Sequence, residues 1–254
     1  MTPLVARPRL GQHFLIRESV ANRIAAAACP QRPDVVVEIG PGRGALTRKL
    51  LERAARVVAI EVDPYLADRL RREYSSEPRL EVVEADALSI DLGRWGRAPI
   101  AGNLPYYIAS PILERTLEAC PPRAVFLVQK EVALRLVARP ASRDYGYLTV
   151  RTAFFACARL LFEVKPAAFH PPPKVDSAVV LLEPQAAPAG IADPQAFLRF
   201  VALCFGHKRK TLRNNLAAAY GKDVVDQWPE AGLRAEQVDL DRFVEMFGRL
   251  DKLQ

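Results

Sequence analysis

Four short stretches of the chain hold residues whose types and spacing could do chemistry. The first is Glu38-Ile39-Gly40-Pro41-Gly42-Arg43-Gly44. Alternating glycines let a ligand approach the backbone closely and aim amide N–H groups at its anionic part. The spacing is G-x-G-x-G with a proline inside it, whereas a dinucleotide pyrophosphate calls for G-x-G-x-x-G, so the turn argues against that ligand. Glu38, just ahead of the turn, sits poorly beside phosphate and suits a cation. The second stretch is Glu61-Val62-Asp63-Pro64, which begins 21 residues past Gly40, where an acid can accept both hydroxyls of a ribose. Asp63 precedes a proline, as a helix N-cap does, which leaves Glu61 for the ribose. In the third, Ala85-Asp86-Ala87, the carboxylate can accept an adenine amine or cap its own turn, and both roles stay open. The fourth is Asn103-Leu104-Pro105-Tyr106. Its amide oxygen and the Leu104 carbonyl can accept the two hydrogens of one amino group, and Tyr106 offers a face on which a planar base stacks.

These stretches need a scaffold that brings them to one edge. VVVEIG (35–40), VVAIEVD (57–63), LEVVEADAL (80–88), PIAGNL (99–104) and AVFLVQK (124–130) are short β-branched runs of the kind buried on both faces of a parallel sheet. Between them, 45–55 and 64–74 carry apolar residues at helical spacing, as does 16–28, where Ile16, Val20 and Ile24 lie one turn apart. Alternating strands and helices predict an α/β fold, a Rossmann-like, doubly wound and mostly parallel sheet of seven strands. ARLLFEV (158–164) and VDSAVVLLEP (175–184) add an antiparallel pair at one edge, after a buried helix at YLTVRTAFFA. Residues 185–195 read as a linker, and QAFLRFVALCF, KTLRNNLAAAY and VDLDRFVEMFGRL beyond it read as helices. The expected division is therefore a first domain at 1–184 and a small helical domain at 185–254.

The chain has 254 residues, half of them hydrophobic, which excludes a disordered or fibrous protein. It lacks the apolar run of about 20 residues that a membrane helix needs. MTPLVARPRLGQHFL lacks the long apolar core of a signal peptide, so a cytoplasmic protein without a membrane is expected. Cys29, Cys120, Cys157 and Cys204 are far apart and, with His13, His170 and His207 unclustered, predict no metal site. The net charge of +7 fits a polyanionic partner, yet 28 Arg against 8 Lys fits coding bias or a warm habitat equally well. Location says more than the total. No acid stands between Leu203 and Leu216, and Arg209 and Arg213 at i,i+4 would share one helix face able to track an RNA backbone. A solvated basic face is the competing reading, and Arg139 and Arg143 form a second candidate patch.

The acids and glycines at successive strand ends resemble S-adenosylmethionine-dependent methyltransferases. Asn103–Tyr106 resembles the Asn/Asp-Pro-aromatic signature of enzymes that methylate exocyclic amino groups of nucleic-acid bases. An adenine N6 lone pair is delocalised into the ring, so acceptors for both N6 hydrogens favour the more tetrahedral nitrogen that attacks a sulfonium methyl. The product ammonium is acidic, so no strong base is required, and alignment supplies much of the rate. LGQHFL, VVEIGPGRGALT, AIEVDPYLADRL, EADAL, GNLPYYIASPIL, LVQKEVALRLVARPASRDYGYLTV, FHPPPKVDSAVVLLEP and FGHKRKTLRNNL together resemble the KsgA-type ribosomal RNA small-subunit adenine dimethyltransferases, from about Arg9 to near the C-terminus.

That resemblance implies N6,N6-dimethylation of two adjacent adenosines in the 3′-terminal hairpin loop of 16S rRNA, on an assembling small ribosomal subunit, by a monomer using S-adenosylmethionine and no metal. It implies cofactor contacts at His13, Leu15, Gly40, Glu61, Asp86 and Asn103, and a target-base pocket built on Asn103, Leu104, Tyr106 and Phe169. The family commonly has Asn at the position of His13, so only a backbone contact carries over there. Phe169 can close the base pocket or plug the core beneath its loop. Three rivals stand beside this reading: the related 23S rRNA adenine methyltransferases of antibiotic resistance, an assembly factor that holds RNA without methylating it, and a nicotinamide oxidoreductase. The glycine spacing disfavours the last.

Overall fold

The computed structural model describes residues 12–251; the N-terminal leader reading and the first two residues of LGQHFL lie outside them. The chain forms two compact units, one comprising residues up to Ala133 with Ala158–Pro184, the other Leu134–Cys157 with residues from Gln185 on. Residues 134–157, read in sequence as part of the first domain, therefore belong with the second unit.

The first unit opens with β1 (Phe14–Leu15) and α1 (Glu18–Ala28), followed by β2 (Val35–Ile39), α2 (Ala45–Leu51), β3 (Arg56–Glu61), α3 (Pro64–Glu73) and β4 (Leu80–Glu84). Next come β5 (Ile100–Asn103), α4 (Ala109–Ala119), β6 (Ala124–Gln129) and α5 (Lys130–Leu136). Beyond α6 (Tyr147–Phe155) the sheet resumes with β7 (Ala156–Val164), β8 (Phe169–His170) and β9 (Ser177–Pro184). Seven strands form one sheet in the order β4-β3-β2-β5-β6-β9-β7, and β1 pairs with β8 in a separate two-stranded ribbon. Strands β4 to β6 run parallel through this order, and β9 lies antiparallel to β6 from Ala124↔Leu182 to Gln129↔Ser177. The Rossmann-like sheet with its antiparallel edge is thus as expected from the sequence.

The apolar runs explain the burial. Val36, Val37, Val57, Val58, Val125 and Phe126 have no exposed surface, because helices cover both faces of a doubly wound sheet. Gly102 lies where a Cβ would come within 2.5 Å of the Ile39 carbonyl oxygen, so β5 can sit beside the end of β2 only with glycine there. Helix α3 begins as the sequence implies: Asp63 accepts from the N–H groups of Tyr65 and Leu66, with Pro64 at the first turn. Ile16 departs from expectation. It lies between β1 and α1, is 60% exposed, and gives its N–H to the Ala168 carbonyl at 2.8 Å, so the pairing of β1 with β8 holds it out of the helix and overrides the local period.

The second unit contains α6 together with α7 (Pro194–Cys204), α8 (Leu212–Tyr220), α9 (Lys222–Val225) and α10 (Leu240–Asp251). Phe154, Phe197, Phe200, Phe243 and Met246 fill its core. The fully buried Glu230 is paired by Arg242 at 2.6 Å and Arg249 at 2.7 Å, which meets the requirement that a buried charge be matched. Arg209 and Arg213 do not share a helix face: α8 starts only at Leu212, after the extended Thr211, and Arg213 is paired with Asp226. The exposed Lys208, Arg209 and Lys210 instead occupy the preceding loop, and the Lys208 ammonium donates to the Arg143 carbonyl at 3.4 Å. Arg143 itself is exposed, so the two candidate basic patches meet within this unit.

Candidate active site

Strand order locates the site. The chain leaves β2 toward β3 on one side, and β5 flanks β2 on the other, so a crevice opens at the carboxyl ends where the winding reverses. A cleft with about 920 Å³ of empty space, partly open to solvent, lies there, lined by residues from the ends of β2, β3, β4 and β5 and by Gln12–Leu15.

One wall is the glycine turn. Gly40, Gly42 and Gly44 have φ of +68°, +57° and +79°, a left-handed path that side chains resist. A Cβ on Gly42 would lie 3.2 Å from the Phe14 ring, and one on Gly44 would lie 3.0 Å from Leu70. Glu61, only 5% exposed, braces the turn: Oε2 accepts from the Gly42 N–H at 3.1 Å and Oε1 from the Asp63 N–H at 3.0 Å. Burial raises its pKa, and those two N–H groups oppose the rise. Glu38 is buried almost completely. Its Oε2 accepts from the Thr47 hydroxyl at 2.6 Å, and its Oε1 has no hydrogen-bond partner among the described residues. Burial pushes this carboxyl up to about 8, Thr47 pulling against it and Glu61 adding to it. Asp86 is exposed at the rim, and its Oδ1 caps the Leu88 N–H at 2.9 Å. The turn-capping role is therefore real, and Oδ2 takes no hydrogen bond from a described residue.

The other wall is a corner around Asn103, whose Nδ2 donates to the His13 carbonyl at 3.0 Å. A carbonyl only accepts, so the amide must turn its nitrogen there and its Oδ1 elsewhere. The His13 Nδ1 and the Pro171 carbonyl are 2.8 Å apart, and the His13 ring lies 5.3 Å from that of Tyr106. The Tyr106 hydroxyl is 2.6 Å from Ser177 Oγ.

Of the residues singled out in sequence, His13, Leu15, Gly40, Glu61, Asp86 and Asn103 all line this one cleft. The base-pocket set is less united. Leu104 has a buried side chain and gives its N–H to the Leu127 carbonyl, so its role rests on its carbonyl alone. Tyr106 is held behind His13 and is not among the lining residues, whereas Tyr107, 65% exposed, is. Phe169 is 2% exposed and packs in the core with Leu15 and Ala168, because β8 is drawn against β1. The expected stacking face of Phe169 is therefore not presented in this conformation, and the core reading describes its position. His170 is exposed and stands in β8, opposite Phe14. Among the described residues no group of three or more His, Cys, Asp or Glu is gathered as metal ligands would be, and no helix is long and apolar enough to cross a membrane.

Comparison with known proteins decides the identity. The ribosomal RNA adenine dimethylase family matches residues 4–252. This chain belongs to that family. Among curated members, the ribosomal RNA small subunit methyltransferase A of Chlorobium chlorochromatii is 40% identical over 97% of this chain and 94% of its own. That of Thiobacillus denitrificans is 46% identical over 91% and 92%. Among solved structures, a dimethyladenosine transferase from Plasmodium falciparum aligns with a TM-score of 0.79 at 26% identity, covering 94% of this chain and 98% of that one. The 23S rRNA methyltransferase ErmE aligns at 0.68 and 33%, covering 94% and 99%.

As a member of the adenine dimethylase family, the protein is an S-adenosylmethionine-dependent rRNA adenine dimethyltransferase. The cleft suits that cofactor: the Glu38 oxygen without a partner can match a cation, and the glycine turn follows a left-handed path on which a Cβ at Gly42 or Gly44 would crowd Phe14 or Leu70. Sequence reasoning missed Ser177, the Pro171 carbonyl and Tyr107. Only the serine at the start of the VDSAVV strand hinted at a polar partner there, and nothing in the sequence said which tyrosine it meets.

Proposed function

We propose that the protein dimethylates N6 of two adjacent adenosines in the 3′-terminal hairpin loop of 16S rRNA, as a cytoplasmic monomer acting on the assembling small ribosomal subunit. The names of its relatives, which specify the small subunit, support this over the 23S rival. The observation that carries the chemistry is the Asn103 amide, whose nitrogen is committed to His13 so that its oxygen is left to accept an N6 hydrogen.

When bound, S-adenosylmethionine supplies an electrophilic methyl group on a sulfonium. His13 and Leu15 through their backbone, and Gly40 through the open path at its positive φ, line its groove. Glu61 accepts the ribose hydroxyls on lone pairs that Gly42 and Asp63 leave free. Asp86 accepts the adenine amine with the oxygen not used by Leu88. Asn103 and the Leu104 carbonyl hold the two N6 hydrogens of the target and bias the nitrogen toward the tetrahedral form. Tyr106, held by His13 and Ser177, is assigned the flipped base, and Phe169 underlies its own loop from the core. The nitrogen attacks as a neutral nucleophile and the proton leaves to water, so no side chain needs to act as a strong base and no metal is called on.

In our reading the first unit carries this chemistry, and residues 185–254 carry the RNA contact together with the Arg139–Arg143 loop of the same second unit. Arg139, Arg143, Lys208, Arg209 and Lys210 supply the phosphate-binding charge. Removing one phosphate-binding side chain lowers the salt dependence of binding by roughly one in log–log slope. Arg143→Ala with Arg209→Ala is expected to flatten that slope by about two while leaving cofactor binding unchanged.

The deciding experiment supplies radiolabelled S-adenosylmethionine and small subunits isolated without the modification. Label confined to the two 16S adenosines is the expected result. Label in 23S RNA transfers the protein to the resistance group, and cofactor binding without incorporation supports the assembly-factor reading.

A further inference from the structure

We infer that His13 is a positioning residue for methyl transfer, its imidazole clamping the Asn103–Tyr106 turn against the loop that leads from Phe169 to Ser177. This rests on the function proposed above and adds a side-chain role where the family resemblance carries over only a backbone contact. Pro171 offers a carbonyl, which can only accept, so the 2.8 Å contact requires the proton on His13 Nδ1. The same residue's carbonyl receives the Asn103 amide at 3.0 Å. Its ring lies 5.3 Å from Tyr106, tilted by 38°, and the Tyr106 hydroxyl reaches Ser177 Oγ at 2.6 Å. The contacts close a circuit: His13 to Asn103 and Tyr106 on one turn, His13 to Pro171 and Tyr106 to Ser177 on one loop.

The backbone at His13 is fixed without its side chain. Phe14 pairs with His170 and Leu15 with Phe169, and the Ile16 and Arg17 N–H groups both reach the Ala168 carbonyl. Removing the imidazole therefore leaves the ribbon and the carbonyl that holds Asn103, and takes away the Pro171 tie and the ring packed near Tyr106. The target base would then meet a looser turn, while the groove formed by the glycine turn, Glu61 and Asp86 stays as it is. Alignment of reacting atoms is sensitive to such loosening, since a misplacement of about 1 Å can cost roughly a hundredfold in rate.

The test uses the full chain with His13→Leu, His13→Ala and His13→Asn. Asparagine retains an N–H donor that can reach the Pro171 carbonyl, and leucine keeps bulk without a donor. Binding of S-adenosylhomocysteine by calorimetry, the thermal midpoint, and kcat and KM on unmethylated small subunits are compared. For His13→Leu and His13→Ala the expected result is a fall in kcat of about tenfold, with cofactor affinity within about twofold and His13→Asn recovering most of the rate. Weakened cofactor binding with kcat intact would make His13 a cofactor contact and overturn the clamp. So would an unchanged kcat in His13→Leu, or a failure of His13→Asn to recover. Wild-type protein that labels another RNA would overturn the proposed function alone, and the same variants measured on that RNA would still judge the clamp.

Discussion

The acid-and-glycine rim and the Asn103 corner face the same cleft but are held in different ways. On the rim the partners are at most 19 residues apart: Glu61 reaches Gly42 just beyond the end of the neighbouring strand and Asp63 beside it, Glu38 reaches Thr47, and Asp86 reaches Leu88. At the corner they are far apart: Asn103 meets residue 13, His13 meets residue 171, and Tyr106 meets residue 177. The rim needs only the adjacent strand ends of β2, β3 and β4 to be in place. A corner closed by three distant segments exists only when the whole unit has folded. The rim carries the acids assigned to the cofactor alone, whereas the corner faces both cofactor and target, so substitutions of rim acids and of corner side chains should differ in which step they disturb most.

The largest separation is expected at Asn103. Asn103→Ala removes an acceptor used when the target nitrogen becomes tetrahedral, and deleting one such transition-state interaction costs about a hundredfold to a thousandfold in kcat. S-adenosylhomocysteine affinity should change far less; comparable losses in both would erase the division between corner and rim. Glu61→Gln is the reverse case. Glutamine keeps one acceptor for Gly42 or Asp63 but cannot serve both and the ribose as a carboxylate does. Loss of a charged hydrogen bond of about 1.5–3 kcal/mol weakens cofactor binding by roughly tenfold to a hundredfold. At saturating cofactor, kcat should remain close to that of the parent.

Glu38 marks the rim with a pH signature. Its ordinary value of 4.5 is raised to about 8 in the folded chain, so between those values the folded state holds a proton that the unfolded state has released. Stability from this group is full below 4.5, declines as pH rises, and is gone once pH passes the folded value. Glu38→Gln, which cannot ionise, should flatten the fall in thermal midpoint over that window. An identical decline in the variant would assign the pH dependence to other groups.

The same contrast explains what could be read from the sequence. The seven strands are legible because β-branched runs between glycines and prolines announce a buried parallel sheet, and the Asp63-Pro64 pair announces the start of α3. Four of the residues that line the cleft are legible for a related reason: Gly40, Glu61, Asp86 and Asn103 stand at or just beyond strand ends, and strand ends can be counted, whereas His13 and Leu15 rest on the resemblance. Ile16 misleads because the tertiary pairing of β1 with β8 overrides a helical period. Residues 134–157 mislead because a helix that packs with the second unit looks in sequence like one that covers the sheet. Phe169 is undecidable in advance, since an aromatic beside a proline-rich loop fits a core plug and a pocket wall equally well. The serine under Tyr106 is illegible because nothing local ties residue 177 to residue 106.

That serine gives the smallest effect and a fine test of the corner as a unit. Ser177→Ala leaves the Tyr106 hydroxyl, half-buried and its pKa raised by that burial, without its partner. A hydrogen bond of this kind is worth about 0.5–1.5 kcal/mol, so kcat should fall by only a few-fold and cofactor affinity should stay put. Its value lies in combination. Ser177 meets the hydroxyl and His13 lies near the ring of the same tyrosine, so their effects on kcat should be non-additive, with a coupling of about 0.5 kcal/mol or more. Ser177→Ala combined with Glu61→Gln should instead be additive within about 0.3–0.5 kcal/mol, because rim and corner hold their groups through separate partners. Additivity in the first pair would mean that Tyr106 is positioned by each neighbour independently, and the corner would be two contacts instead of one device.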